Sequence, residues 1–214
     1  MKPYTKMHKR YHDSITDRRT VVTVGVGAAG CGKTYIACTA AIRMLTSKEV
    51  KKIIITRPAV CADESHGFLP GDINGKMQPF VRPIYDCLLD SINKQQLKRY
   101  LEDESIEIAP LAYMRGRTFS NAVIIADETQ NMTVPQMKML LTRVGMESKI
   151  VITGDPNQSD LKVRDGFNGL NDLMQRVEQN FDTSDECVVD VVSFTNDDIL
   201  RNESIDRILQ LYAY

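Results

Sequence analysis

The sequence predicts an α/β fold of three layers, a mostly parallel central sheet with helices on both faces, and three observations carry that expectation. Short, nearly all-apolar runs alternate with amphipathic stretches, the pattern of strands buried on both faces and joined by helical crossovers. One run feeds Gly27-Ala28-Ala29-Gly30-Cys31-Gly32-Lys33-Thr34, which fits G-x-x-x-x-G-K-[ST] at every fixed position. The conspicuous polar residues Lys33-Thr34, Thr56-Arg57, Asp127-Glu128 and Gly154-Asp155 all follow apolar runs, and in such sheets ligands bind at the carboxyl ends of the strands.

Residues 1–20 read as a basic helix or extension, carrying Lys2, Lys6, Lys9, Arg10, Arg18 and Arg19 against Asp13 and Asp17. Residues 21–26 are a strand, and Lys33 opens a helix whose apolar face is Ile36, Ala37, Ala40, Ala41, Met44 and Leu45. Ile53-Ile54-Ile55-Thr56 is the next strand, ended by Arg57-Pro58 because proline cannot continue a ladder. Residues 60–72, with Gly67, Pro70 and Gly71, read as a long loop. A helical stretch with Val81, Ile84, Tyr85, Leu88, Leu89 and Ile92 follows, then a charged helix over 94–102 and a strand over 106–109.

Val123-Ile124-Ile125-Ala126 is a buried strand running into Asp127-Glu128. Thr133 then caps a helix, with Pro135 in its first turn and Gln136 completing a capping box. Ile150-Val151-Ile152-Thr153 is the following strand, and a helix over 167–177, a strand over 188–194 and a helix over 197–211 complete the chain.

At 214 residues the chain holds one substantial domain, and 43% hydrophobic with 26% charged residues describes a globular protein rather than a disordered one. No apolar run approaches membrane-spanning length and the first residues are polar, so no membrane association is expected and the expected compartment is the cytoplasm. Five cysteines without C-x-x-C spacing argue against a disulfide framework or a zinc site. A net charge of −1 excludes the globally basic signature of many nucleic-acid binders.

The chemistry follows from residue type. Glycines let the loop turn back and aim several N–H groups at one phosphate, and the helix N-terminus adds its partial positive charge. Lys33 can then reach the outer phosphates, and the Thr34 hydroxyl can ligate a magnesium ion bridging them. Asp127 is placed to bind that ion and Glu128 to polarise a water. Cys31, at a helix N-terminus, is expected to favour its thiolate and to be alkylated unless ATP protects it.

Asp127-Glu128-Thr129-Gln130 resembles the D-E-x-Q motif of superfamily-one helicases, and Gly154-Asp155-Pro156-Asn157-Gln158 resembles their G-D-x-x-Q motif. The chain as a whole is similar to the PhoH family of ATPases through Thr56-Arg57-Pro58-Ala59-Val60, Gly67-Phe68-Leu69-Pro70-Gly71-Asp72, the stretch from Pro110 to Thr118, and the stretch from Gln136 to Arg143. The family often carries a Gln in the basic helix ahead of the first strand, placed to read adenine; the nearest equivalent here is His8.

This resemblance implies a RecA-like P-loop NTPase over residues 21–214, with ATP and Mg2+ as cofactors and a helicase-like link to single-stranded RNA. Gly27, Ala28, Ala29, Gly30, Cys31, Gly32, Lys33, Thr34 and Tyr35 would hold the nucleotide, and Thr34 and Asp127 the metal. Lys33 would neutralise the transferring phosphate, Glu128 orient the attacking water and Gln158 sense the γ-phosphate. Related helicases complete the site with arginines from a second domain. A homo-oligomeric ring, expected to be a hexamer, would supply one from a neighbouring copy, with Arg143 and Arg201 as candidates and Arg164 behind them. Thr56, Arg57, Arg115 and Arg117 are the expected RNA contacts. Two other readings stand beside this one: a nucleotide-gated RNA-binding switch with little turnover, and a P-loop small-molecule kinase.

Overall fold

Four strands of the sheet are buried on both faces, which is why the sequence writes them as continuous apolar runs instead of alternating ones. The computed structural model describes residues 5–58, 82–161, 167–180 and 188–199. Strands β1 (Val22–Val26), β2 (Lys52–Thr56), β3 (Ile106–Ile108), β4 (Ala122–Ala126), β5 (Lys149–Gly154) and β6 (Val189–Ser193) form one sheet in the order β3-β2-β4-β5-β1-β6. Every pairing is parallel: Val22 lies opposite Ile150 and Val189, and Ile53 opposite Val123 and Ile106. The expected α/β class holds, and the sheet is wholly parallel.

Because side chains alternate along a strand, β2 sends Ile53 and Ile55 to one face and Ile54 to the other. On the first face they meet α1 (Lys6–Thr16), α2 (Lys33–Thr46), α3 (residues 82–89) and α4 (Lys94–Glu102), through Tyr11, Ile15, Ile36, Ile84, Leu88 and Leu97. On the second they meet α5 (Val134–Leu141) and α6 (Gly169–Asn180), through Met137, Leu140, Leu170 and Leu173. Three layers result.

The cap expected at Thr133 is present: the Thr133 hydroxyl accepts from the Gln136 N–H at 3.4 Å, and Gln136 Oε1 accepts from the Thr133 N–H at 2.8 Å. Ile92 lies beyond the end of α3 yet is buried. Of the helix expected over 197–211, the described part is a 3-10 turn at Asn196–Asp198; residues 200–214 and the expected loop over 60–72 lie outside the described residues. Two further 3-10 turns, Leu111–Met114 and Thr129–Asn131, have no counterpart in the sequence reading.

The basic N-terminal segment packs directly on the sheet. Tyr11 of α1 is fully buried, its ring edge-on to Phe194 at 5.4 Å and close against Gly25 of β1. A Cβ on Gly25 would stand 2.7 Å from two ring carbons of Tyr11, closer than real contacts allow. Gly25→Ala is therefore expected to cost about 1–3 kcal/mol by overpacking, lowering Tm by roughly 2–4 °C per kcal/mol. Differential scanning calorimetry checks this, and an unchanged Tm would show that the ring has room to retreat.

Candidate active site

All six strands point the same way, so the ends of β2, β4, β5 and β1, adjacent in that order, bring their following residues to one edge. The loop after β1 begins at Gly27, whose φ of 151° and close seat against Phe194 leave no space for a side chain. It closes at Gly32, the N-cap of α2, in the left-handed region at φ 73°. Between them the chain curls around Lys33, whose Nζ donates to the carbonyls of Gly27 at 2.7 Å and Ala28 at 2.9 Å. Burial pulls the Lys33 ammonium below the usual lysine range, while the nearby Cys31, Asp155, Glu128 and Asp127 act to hold its charge.

Asp127, 2% exposed, stands at the centre of a hydrogen-bond cluster. Its Oδ1 accepts from the Thr34 hydroxyl at 2.7 Å and from the Thr153 hydroxyl. Its Oδ2 accepts from Arg57 Nε at 2.7 Å and from Arg57 Nη2. Glu128 follows with φ 57° and ψ 39°, a left-handed conformation uncommon for a residue with a side chain. That turn separates the two carboxylates: Asp127 faces inward, while the Glu128 side chain is half exposed. Glu128 Oε2 accepts from Gln130 Nε2 at 2.6 Å, and Gln130 Oε1 accepts from the Asp155 N–H at 3.1 Å. Gln130 thus braces Glu128 against the end of β5.

A cavity of about 300 Å³ opens over these groups, with Gly30, Lys33, Thr34, Tyr35, Asp127 and Glu128 in its lining and Gln158 at its rim. A larger cavity of about 520 Å³ lies at the other end of the sheet, near Thr16 and Lys149. The Lys149 ammonium there already donates to the carbonyls of Asp17 and Thr20, so size alone does not locate the chemistry.

The loop residues, Thr34, Asp127, Glu128 and Gln158 are brought together as the sequence suggested, with Arg57 beside them; among the described residues, Arg115, Arg117 and Arg143 do not join them. Arg143 follows α5 in the connection entering β5, at the amino-terminal edge of the sheet and opposite the phosphate loop. Its guanidinium donates to the Met139 carbonyl at 3.0 Å, the Arg117 carbonyl at 2.8 Å and the Thr142 hydroxyl at 2.9 Å. With its donors engaged in this way, Arg143 ties two connections together within the chain and does not reach the chain's own phosphate loop. Arg117 makes a bidentate pair with Glu107, holding that carboxyl below its usual range, and lies over the Phe119 ring at 4.6 Å. Arg115 is exposed nearby. Thr56 is fully buried, so its hydroxyl offers no surface to a strand and the expected contact there is corrected. Arg164 and Arg201 lie outside the described residues.

Cys31 requires another correction. Its side chain is fully buried with the thiol toward the Thr195 carbonyl at 3.9 Å, so only its backbone belongs to the phosphate loop and a ready reaction with an alkylating reagent is not expected. His8 holds that loop from behind. Its Nδ1 accepts from the Thr5 N–H at 2.9 Å, which leaves Nε2 to donate to the Cys31 carbonyl at 3.0 Å. The sequence reading assigns no role to Gln130 or Thr153, although Gln130 stands in the acidic motif itself. Cys87, also in the cavity lining, carries no sequence signal.

Residues 1–213 match the family model described as PhoH-like protein. The PhoH-like protein of Mycobacterium tuberculosis (strain ATCC 25618 / H37Rv) is 42% identical over 215 residues, covering 100% of this chain and 58% of its own length. Protein PhoH of Escherichia coli (strain K12) is 46% identical over 189 residues, covering 87% of this chain and 51% of its own. The chain thus spans little more than half the length of these relatives. Among solved structures, the large terminase from a thermophilic bacteriophage shares the fold with a TM-score of 0.60 at 11% identity, over 100% of this chain and 51% of that one. The same terminase in complex with ADP gives a TM-score of 0.56 at 12% identity, over 99% and 51%.

Proposed function

The chain belongs to the PhoH-like protein family, and from that premise we propose that it binds ATP with magnesium and hydrolyses it to ADP and phosphate. The observation that carries this reading is the convergence on one cavity of a lysine cradled by loop carbonyls, a hydroxyl–carboxylate pair and a second, braced carboxylate. The terminase, a protein of the same fold, has been solved in complex with ADP, which supports a nucleotide as the ligand class.

The residues present suit magnesium. Thr34 Oγ1 and Asp127 Oδ1 are hard oxygen donors 2.7 Å apart. Among the described residues no three His, Cys, Asp or Glu side chains gather as a metal site, so phosphate oxygens and water would complete the shell. When bound, the ion would neutralise charge on the outer phosphates and orient them. In this reading the loop N–H groups bind phosphate, Lys33 leaves the Gly27 and Ala28 carbonyls for the phosphoryl oxygens, and Glu128 takes a hydrogen bond from the attacking water. Gln158, at the rim, contacts the terminal phosphate.

The wider assignment is a cytoplasmic, RNA-linked motor or remodeller working as a homo-oligomeric ring, a hexamer, with Arg201 or Arg164 of a neighbouring copy reaching the phosphate. Arg57, Arg115 and Arg117 are the proposed contacts to single-stranded RNA. A second reading, a nucleotide-gated RNA-binding switch with little turnover, is favoured by the engagement of Asp127 with Arg57.

Phosphate release measured with magnesium, with EDTA and with a single-stranded RNA oligonucleotide, alongside the mass of the assembly in solution, tests these readings. Magnesium-dependent turnover raised by RNA is the expected result. Tight ATP binding without turnover would transfer the assignment to the switch, and failure to bind ATP would overturn both.

A further inference from the structure

Asp127 is saturated. Its two oxygens accept four hydrogen bonds, two from threonine hydroxyls and two from one guanidinium, and the donors come from three places in the fold: α2, β5 and the residue after β2. Both charged partners are shielded, with the Arg57 side chain 17% exposed and the Asp127 side chain 2% exposed. A carboxylate this deeply buried needs a cation, since an unpaired buried charge is strongly destabilising. Arg57 meets that need from within the chain.

The same carboxylate is the one a magnesium–nucleotide complex would use, directly or through a water. A divalent cation and a guanidinium at hydrogen-bond distance from one carboxylate repel each other in a poorly solvated site. Arg57 also has somewhere to go, because its Nη2 already lies 3.9 Å from Glu128 Oε1, on the half-exposed side of the acidic pair. From these contacts, and resting on the nucleotide reading above, we propose that Arg57 is a positioning residue that supplies the balancing charge to Asp127 through Oδ2 and is displaced when a divalent cation enters at Oδ1 with nucleotide.

Before metal arrives, Arg57 holds the Asp127 carboxylate in place, so the site is pre-formed. It also sets a cost on metal entry, because the cation must break a two-pronged ion pair. Metal affinity, as distinct from nucleotide affinity, is therefore the quantity that Arg57 controls.

The test uses Mn2+ as the probe, titrated into the full chain saturated with ADP and followed by electron paramagnetic resonance. Wild type, Arg57→Gln and Arg57→Lys are compared, and ADP binding in EDTA is measured separately with a fluorescent ADP analogue. Arg57→Gln is expected to bind Mn2+ about tenfold more tightly than wild type, a typical coupling between linked sites. Arg57→Lys, which keeps the charge and loses the fork, should fall between them, and it carries the test if the glutamine variant fails to fold. Unchanged or weaker Mn2+ binding in the folded variants, with ADP binding in EDTA intact, would overturn the exchange while leaving the nucleotide reading standing. A wild-type protein that takes up ADP neither with Mn2+ nor without it would overturn the nucleotide reading itself, and this proposal with it.

Discussion

Replacing Lys33 by alanine is expected to reduce ATP turnover by about a hundred- to a thousandfold, the scale on which pre-organised charge contributes to a transition state. The side chain is anchored before substrate arrives, its Nζ held by two loop carbonyls 2.7 and 2.9 Å away. Moving from those carbonyls to phosphate exchanges neutral acceptors for charged ones, and charge-assisted bonds are the stronger. The loss should appear mainly in the chemical step, since the loop N–H groups and the α2 N-terminus remain to bind phosphate. Single-turnover phosphate release, paired with equilibrium binding of a fluorescent ATP analogue, separates the two. Turnover near the wild-type rate would remove Lys33 from the active site. A matching thermal melt is needed as a control, because the alanine variant also loses the two bonds that brace Gly27 and Ala28.

Strands were legible in this sequence wherever burial on both faces writes a continuous apolar run, as in Ile53–Ile55 and Val123–Ala126. The helix at Thr133 was legible because a capping box is a local signal spanning four residues. The phosphate loop was legible for the same reason. The arginines were not, because a residue's partner across the fold is not local. Arg57 meets Asp127 over a separation of 70 residues, made neighbours by the pairing of β2 with β4. Arg143 belongs to a connection whose end of the sheet depends on counting crossovers correctly. Cys31 shows the limit within a motif: its position lies in the loop, but its side chain turns to the Thr195 carbonyl. Glu128 shows another, since nothing in Asp127-Glu128 announces the left-handed turn that sends two adjacent carboxylates in different directions.

That turn is why Glu128→Gln should separate binding from turnover. The substitution preserves shape and removes charge, and the loss of a general base typically costs about a hundred- to ten-thousandfold. Nucleotide binding should persist, because Thr34 and Asp127 stay hydrogen-bonded to each other and neither depends on the Glu128 side chain. Stability should change little: the side chain is 49% exposed, and glutamine meets the same left-handed backbone at φ 57° with no greater steric demand. The amide of Gln130, now donating to Glu128 at 2.6 Å, can instead donate to the new side-chain oxygen, so the brace to Asp155 survives. Gln130→Ala offers the complementary measurement. It leaves the charge and removes the brace, so turnover should fall less than in Glu128→Gln while the Glu128 side chain loses its fixed position over the cavity. If Glu128→Gln turns over ATP at the wild-type rate with binding intact, the water is oriented by another group and the exposed carboxylate serves only to balance Arg57. If both variants lose binding together, the acidic turn is a scaffold for the nucleotide pocket, and the division of labour between Asp127 and Glu128 is wrong.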